Sequence, residues 1–326
     1  MTGSVKTVLT PTGSVLERVL DTRSRAAYDG LDPQAYRRLF AAQQKSMWGR
    51  HCLRLSALAE GQDIVASAEW YDLTGALDGR SLRICGIRRV WTSPSRSGLG
   101  EARMLVDAIL ANAVEQGAQM GLVISDSEPD DAVGSGFETI RFTDLTLAVA
   151  QSPRHGAPMA TVRAGEVRDL AAIAAMGNVR AEPFRFHFER DVDFVQYVIT
   201  AKRLLAGLVT ANRRTLQFFI VEEGITAAAY VVLSVAGDVW TIEECGDRDP
   251  CGARVGALLQ ALIAREPAKA PPTIRGRFPA GFLPPQATIV SSTPSTQSIS
   301  LRMLKAGAAA PSLSCDDVLL WPDDLL

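Results

Sequence analysis

The sequence predicts an α+β protein of two tandem domains, each a mixed, mainly antiparallel sheet flanked by helices. Three observations predict it. Three strand-like segments follow one another across short turns; a glycine-containing loop then opens an amphipathic helix; and that order recurs about 150 residues further on. The length of 326 residues suits two domains of ~150 residues each. A composition of 47% hydrophobic and 21% charged residues supplies apolar side chains for two cores and excludes general disorder.

The chain begins loosely, with Pro11 and Gly13 interrupting any apolar run, so no targeting segment is expected. Asp32-Pro33 opens a helix: Asp32 is suited to cap it and Pro33 to its first position. Tyr36, Leu39, Phe40 and Gln43 continue it at helical spacing, and Gly49 ends the pattern. Strands are expected at Cys52 to Leu58, Ile64 to Tyr71 and Leu82 to Thr92, paired antiparallel across short connections. After the loop Ser93 to Gly100, the residues Ala102, Leu105, Val106, Ile109 and Ala113 form the apolar face of a helix closed by Gly117. Met120 to Ser125 reads as a short strand, Asp126 to Ser135 as an acidic loop, and Phe137 to Ala150 as a last strand or hairpin.

Residues 151–158, Gln-Ser-Pro-Arg-His-Gly-Ala-Pro, read as a linker between domains at 1–150 and 159–326. The order then repeats. A strand is expected at Thr161 to Arg163, helices at Glu166 to Gly177 and Val192 to Leu208, and strands at Leu216 to Glu222, Thr226 to Ser234 and Val239 to Cys245. The loop Gly246 to Cys251 leads into a helix over Ala253 to Ala264, and Thr273 to Arg275 begins another strand. Phe278 to Leu301, rich in Pro, Ser and Thr, reads as a loop with short strands and not as a membrane span. Duplication of one domain is the economical explanation of the repeat.

Lys and Arg total 34 against 36 Asp and Glu, a net charge of −2 that argues against a nucleic-acid partner. The five cysteines include no C-x-x-C pair, so a reducing cytoplasm is expected, with no disulfide framework and no metal.

The most informative stretch is Val90-Trp91-Thr92-Ser93-Pro94-Ser95-Arg96-Ser97-Gly98-Leu99-Gly100-Glu101-Ala102. A strand runs into glycines that open a helix, whose first N–H groups lack internal acceptors and carry the positive end of the helix dipole. Such geometry suits a pyrophosphate, and Arg88, Arg89, Arg96 and Arg103 add positive charge. A plain connecting turn is the alternative, since short glycine motifs recur by chance. A Walker loop is excluded, because no Gly-Lys-Ser/Thr follows, and the antiparallel strands upstream disfavour a Rossmann domain.

This stretch resembles the GNAT acetyltransferase superfamily. Ser95-Arg96-Ser97-Gly98-Leu99-Gly100 matches its Arg/Gln-x-x-Gly-x-Gly/Ala motif at both glycines, with Ser95 in the Arg/Gln place. Gly136-Phe137 is similar to the Gly-Phe pair of many such domains, and Trp48-Gly49-Arg50, Ala66-Ser67-Ala68 and Tyr71-Asp72 are similar to bacterial tandem members. The resemblance covers about Tyr28 to Val149 and extends weakly into the second half, at Asp169-Leu170 and Gly252 to Gly256. It implies acetyl-CoA, or another acyl-CoA, in a splay between the fourth and fifth strands. The main chain of Val90, Trp91 and Thr92 would pair with the pantetheine arm. The amides of Arg96, Ser97, Gly98, Leu99, Gly100, Glu101 and Ala102 would hold the pyrophosphate. A main-chain N–H near Val90 or Trp91 would polarise the acyl carbonyl for attack by a primary amine of a small molecule, lysine or peptide.

The general-acid tyrosine that the resemblance implies is replaced by Ala132, and no tyrosine stands between Tyr71 and Tyr197. Ser125 and Asp131 are the candidates for proton transfer, with Glu69 a further candidate base. The acidic loop that holds Asp131 also reads as plain solvated surface. In the second half Asp247 and Asp249 occupy the equivalent loop, where they would repel phosphate, so the cofactor is expected in the first half only. His187, set among phenylalanines, reads as a strand residue, and Glu243 and Glu244 as structural. Two rival readings are an acyl-CoA-binding regulatory protein without turnover and an aminoacyl-tRNA-dependent transferase.

Overall fold

The computed structural model describes residues 5–27, 31–126, 132–150, 161–209, 214–266, 270–305, 307 and 309–325. The expected linker and Asp131 lie outside them. The chain forms two compact units: Met1–Phe142 with Thr296–Cys315, and Thr143–Ser295 with Asp316–Leu326. This differs from a division into 1–150 and 159–326, because the segment from Thr296 returns to the first unit as a strand.

The first unit begins with β1 (Lys6–Leu9) and α1 (Gly13–Ala27), both unexpected from sequence. Among its described side chains Val19, Leu20 and Arg23 are buried, a stripe hard to read beside Pro11 and Gly13. α2 (Pro33–Lys45) starts as expected, with the Asp32 carboxylate accepting the Ala35 N–H at 2.8 Å. It ends at Ser46, whose hydroxyl accepts the Gly49 N–H at 2.9 Å and starts α3 (Met47–Cys52). Gly49 therefore ends no helix. It allows close packing, since a Cβ there would lie 2.0 Å from the Gln43 carbonyl oxygen.

β2 (Leu53–Glu60), β3 (Asp63–Leu77) and β4 (Arg80–Thr92) form the expected antiparallel meander. α4 (Glu101–Glu115) lays Ala102, Leu105, Val106, Ile109, Leu110 and Ala113 into an apolar cluster with Ala66, Ala68, Ile87 and Val123. Each fully buried Leu, Val or Ile side chain there contributes roughly 1.5–3 kcal/mol. Gly117, at φ +91°, takes the chain from the helix end to β5 (Met120–Ser125), which pairs parallel with β4. β6 (Glu138–Val149) begins in this unit and ends in the other.

In the second unit come β7 (Thr161–Ala164), α5 (Leu170–Ala181), β8 (Phe186–Phe188) and α6 (Val192–Leu208). An antiparallel trio follows: β9 (Arg214–Glu223), β10 (Thr226–Ala236) and β11 (Val239–Asp247). α7 (Ala253–Arg265) returns the chain to β12 (Thr273–Gly276), which pairs parallel with β11 and antiparallel with β6. The order of strands, glycine loop, helix and parallel strand thus recurs in both units.

The Phe278 to Leu301 reading is corrected by β13 (Ala287–Met303), one strand of 17 residues. Its Ser, Thr and Pro residues hid it; Thr288 to Pro294 are exposed there, where polar side chains and one missing N–H are tolerated. Its last part pairs antiparallel with β5, from Ser298↔Ser125 to Met303↔Met120, within the first unit. β14 (Val318–Leu319) pairs with β8. Among the described residues no helix is long and apolar enough to cross a membrane.

Candidate functional site

The β3–β4 ladder slips by one residue: Ser67 faces Trp91, but Glu69 faces Arg88. Two steps on β3 therefore match three on β4, a β-bulge. Arg89 lies within it at φ +51°, a conformation costing a non-glycine residue about 1–2 kcal/mol. Pairing of β4 with β5 stops at Arg88↔Ile124, although β4 continues to Thr92. The two parallel strands part beyond the bulge.

A cavity of about 260 Å³ opens beside the end of β4 that lies past its pairing with β5. Val90, Trp91 and Thr92 line it from β4, and Arg96, Ser97, Gly98, Gly100, Glu101 and Ala102 from the loop and the first turn of α4. Leu99 is not among the lining residues; its side chain is exposed and its N–H bonds the Arg96 carbonyl at 3.2 Å. Gly98 and Gly100 sit at φ +77° and +85°, and a Cβ at either would meet nothing within 4 Å. Backbone conformation, not crowding, requires glycine at these two positions.

The expected excess of positive charge at the loop is corrected by the pairing. Arg88 bonds both Asp126 oxygens at 3.2 Å. Arg89 Nη1 lies 2.8 Å from Glu69. Arg96 is bonded to Glu60 and lies 3.9 Å from Glu101, and Arg103 lies 3.8 Å from Asp107. Lys6 Nζ lies 3.1 Å from Glu101. Each cation has a carboxylate, so the loop's capacity for an anion rests on its amides and the helix end.

Glu69 is fully buried. It accepts hydrogen bonds from Tyr36 Oη at 2.8 Å, Tyr71 Oη at 3.3 Å, Arg23 at 3.2 Å and Arg89 at 2.8 Å. Burial works to raise its pKa, but Arg89, Arg23 and the Tyr36 hydrogen bond outweigh it and hold it at about 2. That makes it an anchor for the bulge and a poor proton acceptor. Sequence reading missed this network, because Arg23, Tyr36 and Arg89 come from separate elements. Tyr71 also stacks on Trp48 with ring centroids 6.0 Å apart, which brings together two of the quoted motif fragments.

Ser125 ends β5 with its side chain buried, and Ala132 lies in the apolar cluster under α4. Asp126, bonded by Arg88 and Gln297, has its pKa lowered: burial works upward, but the Arg88 guanidinium and the Gln297 hydrogen bond prevail. Among the described residues no group of three or more His, Cys, Asp or Glu side chains converges on one point.

The second unit repeats the bulge, since Val232 faces Glu244 and Leu233 faces Ile242. Its loop is filled. Asp247 accepts the Arg254 N–H at 2.8 Å and the Val255 N–H at 3.3 Å, putting a carboxylate of the chain itself on the first turn of α7. The expectation that Asp247 and Asp249 simply repel phosphate is sharpened: Asp247 occupies the position that an anion would take. Gly252, at φ +73°, has no open space beside it; a Cβ there would lie 2.8 Å from the Phe282 ring, which Arg180 covers at 3.9 Å. Glu244 is bonded by both arms of Arg190, at 2.5 and 2.6 Å, and Glu243 by Lys202 at 2.6 Å, in keeping with structural roles. His187 is on β8 between buried phenylalanines, and burial lowers its pKa.

No protein-family model matches the sequence, and no curated protein matches it. Solved structures do match. A GCN5-related N-acetyltransferase from Kribbella flavida has a TM-score of 0.66 at 17% identity, over 93% of this chain and 72% of that one. A GCN5-related N-acetyltransferase from Anabaena variabilis gives 0.65 at 12%, over 92% and 73%. Eis1 from Mycobacterium abscessus gives 0.55 at 12%, over 92% and 74%. The splayed parallel strands, the bulge before them and the glycine loop after them thus belong to a chain with the fold of the GCN5-related N-acetyltransferases.

Proposed function

We propose that the protein is an acyl-CoA-dependent N-acyltransferase, with acetyl-CoA as donor and a primary amine of a small molecule, lysine or peptide as acceptor. One observation carries the reading: a cavity opens at the glycine loop of the first unit, whereas in the second Asp247 takes the first N–H groups of α7 and Phe282 packs against Gly252. The first unit's loop offers what a diphosphate needs, namely a helix N-terminus and glycines through which the main chain comes close. When bound, an acyl thioester supplies an activated carbonyl and a thiolate leaving group.

In this reading the main chain of Val90, Trp91 and Thr92, freed from β5 by the bulge, pairs with the pantetheine arm. An N–H at Val90 or Trp91 polarises the acyl carbonyl. The loop from Arg96 to Ala102 holds the diphosphate; the Arg96 and Leu99 N–H groups, already bonded to the Ser93 and Arg96 carbonyls, are not among its donors. The chain's contribution is mainly positioning. Ser125 and Asp131 are the proposed proton carriers, with water as relay; Glu69 is withdrawn from that role by its ion pairs. A cytoplasmic setting is part of this reading, on a cysteine pattern that contains no C-x-x-C pair.

A second reading, an acyl-CoA-binding protein without turnover, is favoured by the buried apolar setting of Ala132 where a general-acid tyrosine is implied. Calorimetry with acetyl-CoA and thiol release over a panel of amines separate the two. Binding with turnover supports the transferase, and binding with no turnover on any amine supports the second reading. Absence of binding overturns both.

A further inference from the structure

Glu101 is the first residue of α4 and lines the cavity, yet it is a carboxylate. Its side chain is buried, and its Oε2 is buried without a hydrogen-bond partner. An anion at that place competes with a phosphate for the same helix end and repels it. Two cations lie close. Arg96 is bonded to Glu60 and stands 3.9 Å from Glu101. Lys6 Nζ makes the nearer contact, 3.1 Å from Oε1. Lys6 comes from β1, which is held at the sheet edge by antiparallel pairing, Lys6↔Glu60 to Leu9↔Ala57. The pairing therefore sets Lys6 directly opposite Glu60, the partner of Arg96, so two cations and two carboxylates form one compact group beside the loop.

We infer that Lys6 is a positioning residue of the phosphate loop, which neutralises Glu101 so that the amides of the loop accept the diphosphate of an acyl-CoA. The inference rests on the acyl-CoA reading above. Without the ammonium, a diphosphate would enter beside a buried carboxylate whose remaining cation is shared with Glu60. The role is indirect: Lys6 acts through Glu101, so its effect vanishes once Glu101 carries no charge.

The test is calorimetry with acetyl-CoA on the full chain, comparing wild type, Lys6→Met, Lys6→Arg, Glu101→Gln and the double variant Lys6→Met/Glu101→Gln. Lys6→Met is expected to bind about tenfold more weakly, and Lys6→Arg within about threefold of wild type. Glu101→Gln is expected to bind at least as tightly as wild type, and the double variant to match Glu101→Gln. This non-additivity is what a merely structural role for β1 would not produce. Equal binding by Lys6→Met and wild type overturns the inference. So does a double variant as weak as Lys6→Met, which would mean that Lys6 touches the ligand itself. Should Lys6→Met fail to fold, Glu101→Gln decides alone: weaker binding than wild type overturns the inference. No binding by wild type removes the acyl-CoA reading and this inference with it, whereas binding by wild type with an unaffected Lys6→Met removes only the inference.

Discussion

Nη1 of Arg89 lies 2.8 Å from Oε2 of Glu69, and this ion pair anchors a residue whose backbone is left-handed at φ +51°. Glycine adopts that φ without strain, whereas alanine does not. Arg89→Ala removes the anchor and keeps the strain, so β4 is expected to relax toward regular pairing and acetyl-CoA affinity to fall by about tenfold or more. Arg89→Gly also removes the anchor but relieves the strain, and is expected to bind more tightly than Arg89→Ala. Calorimetry on the pair gives the ranking, and the reverse order would show that the bulge does not depend on this residue.

Glu69 itself makes acid stability predictable. Its folded pKa, about 2, lies below the ordinary 4.5, so the folded state holds the ionised form more strongly than the unfolded chain does. The stabilisation is present above about 4.5 and is lost as pH falls through about 2, an effect of roughly 3 kcal/mol. Glu69→Gln leaves Arg23 and Arg89 facing a neutral group and is expected to cost about 3–5 kcal/mol at neutral pH. Urea unfolding at neutral pH and near pH 2 measures both effects. A variant as stable as wild type at neutral pH would contradict the anchoring role.

Gly100 separates conformation from space. A Cβ at this position has room, but φ +85° does not suit it. Gly100→Ala is expected to destabilise by about 1–2 kcal/mol through strain alone. Gly100→Glu adds bulk and charge where a diphosphate would lie and is expected to abolish acetyl-CoA binding. Thermal unfolding and calorimetry together check the pair; unchanged affinity in Gly100→Glu would place the phosphate site elsewhere.

Asp247 gives the matching test in the second unit. Its oxygens accept N–H groups from Asp249, Arg254 and Val255, so from the loop it satisfies two first-turn N–H groups of α7, whose N-cap is Gly252. Asp247→Ala is expected to cost about 0.5–2 kcal/mol of stability and leave acetyl-CoA affinity unchanged, at one site per chain. Calorimetry showing two sites in wild type would contradict the closed second loop.

The parts of the fold legible in sequence were those set by local pattern. The Asp32-Pro33 helix start, the apolar stripe of α4 and the glycines before it each carry their cause within a few residues. The bulge at Arg89 was not legible, because nothing local distinguishes an arginine about to adopt positive φ; it emerges only when β4 is laid against β3. Nor was the neutrality of the loop. Arg96 finds Glu60 across 36 positions, and Arg88 finds Asp126 across 38, so a count of arginines along the chain overstates the field they produce. β13 was hidden by its own composition, since an exposed strand section needs no apolar alternation.

The course of β13 has a consequence for how the protein is made. The strand beside β5 arrives from Ser298 to Met303, more than half the chain after β5 itself. During synthesis one edge of β5 therefore stays uncovered until residues 298–303 have left the ribosome. The first unit cannot be completed before most of the second has been made, which departs from folding domain by domain from the N-terminus. Pairing over so long a separation is also slow. A chain ending at Ala150 would carry every residue that lines the cavity and still lack the strand that completes its sheet.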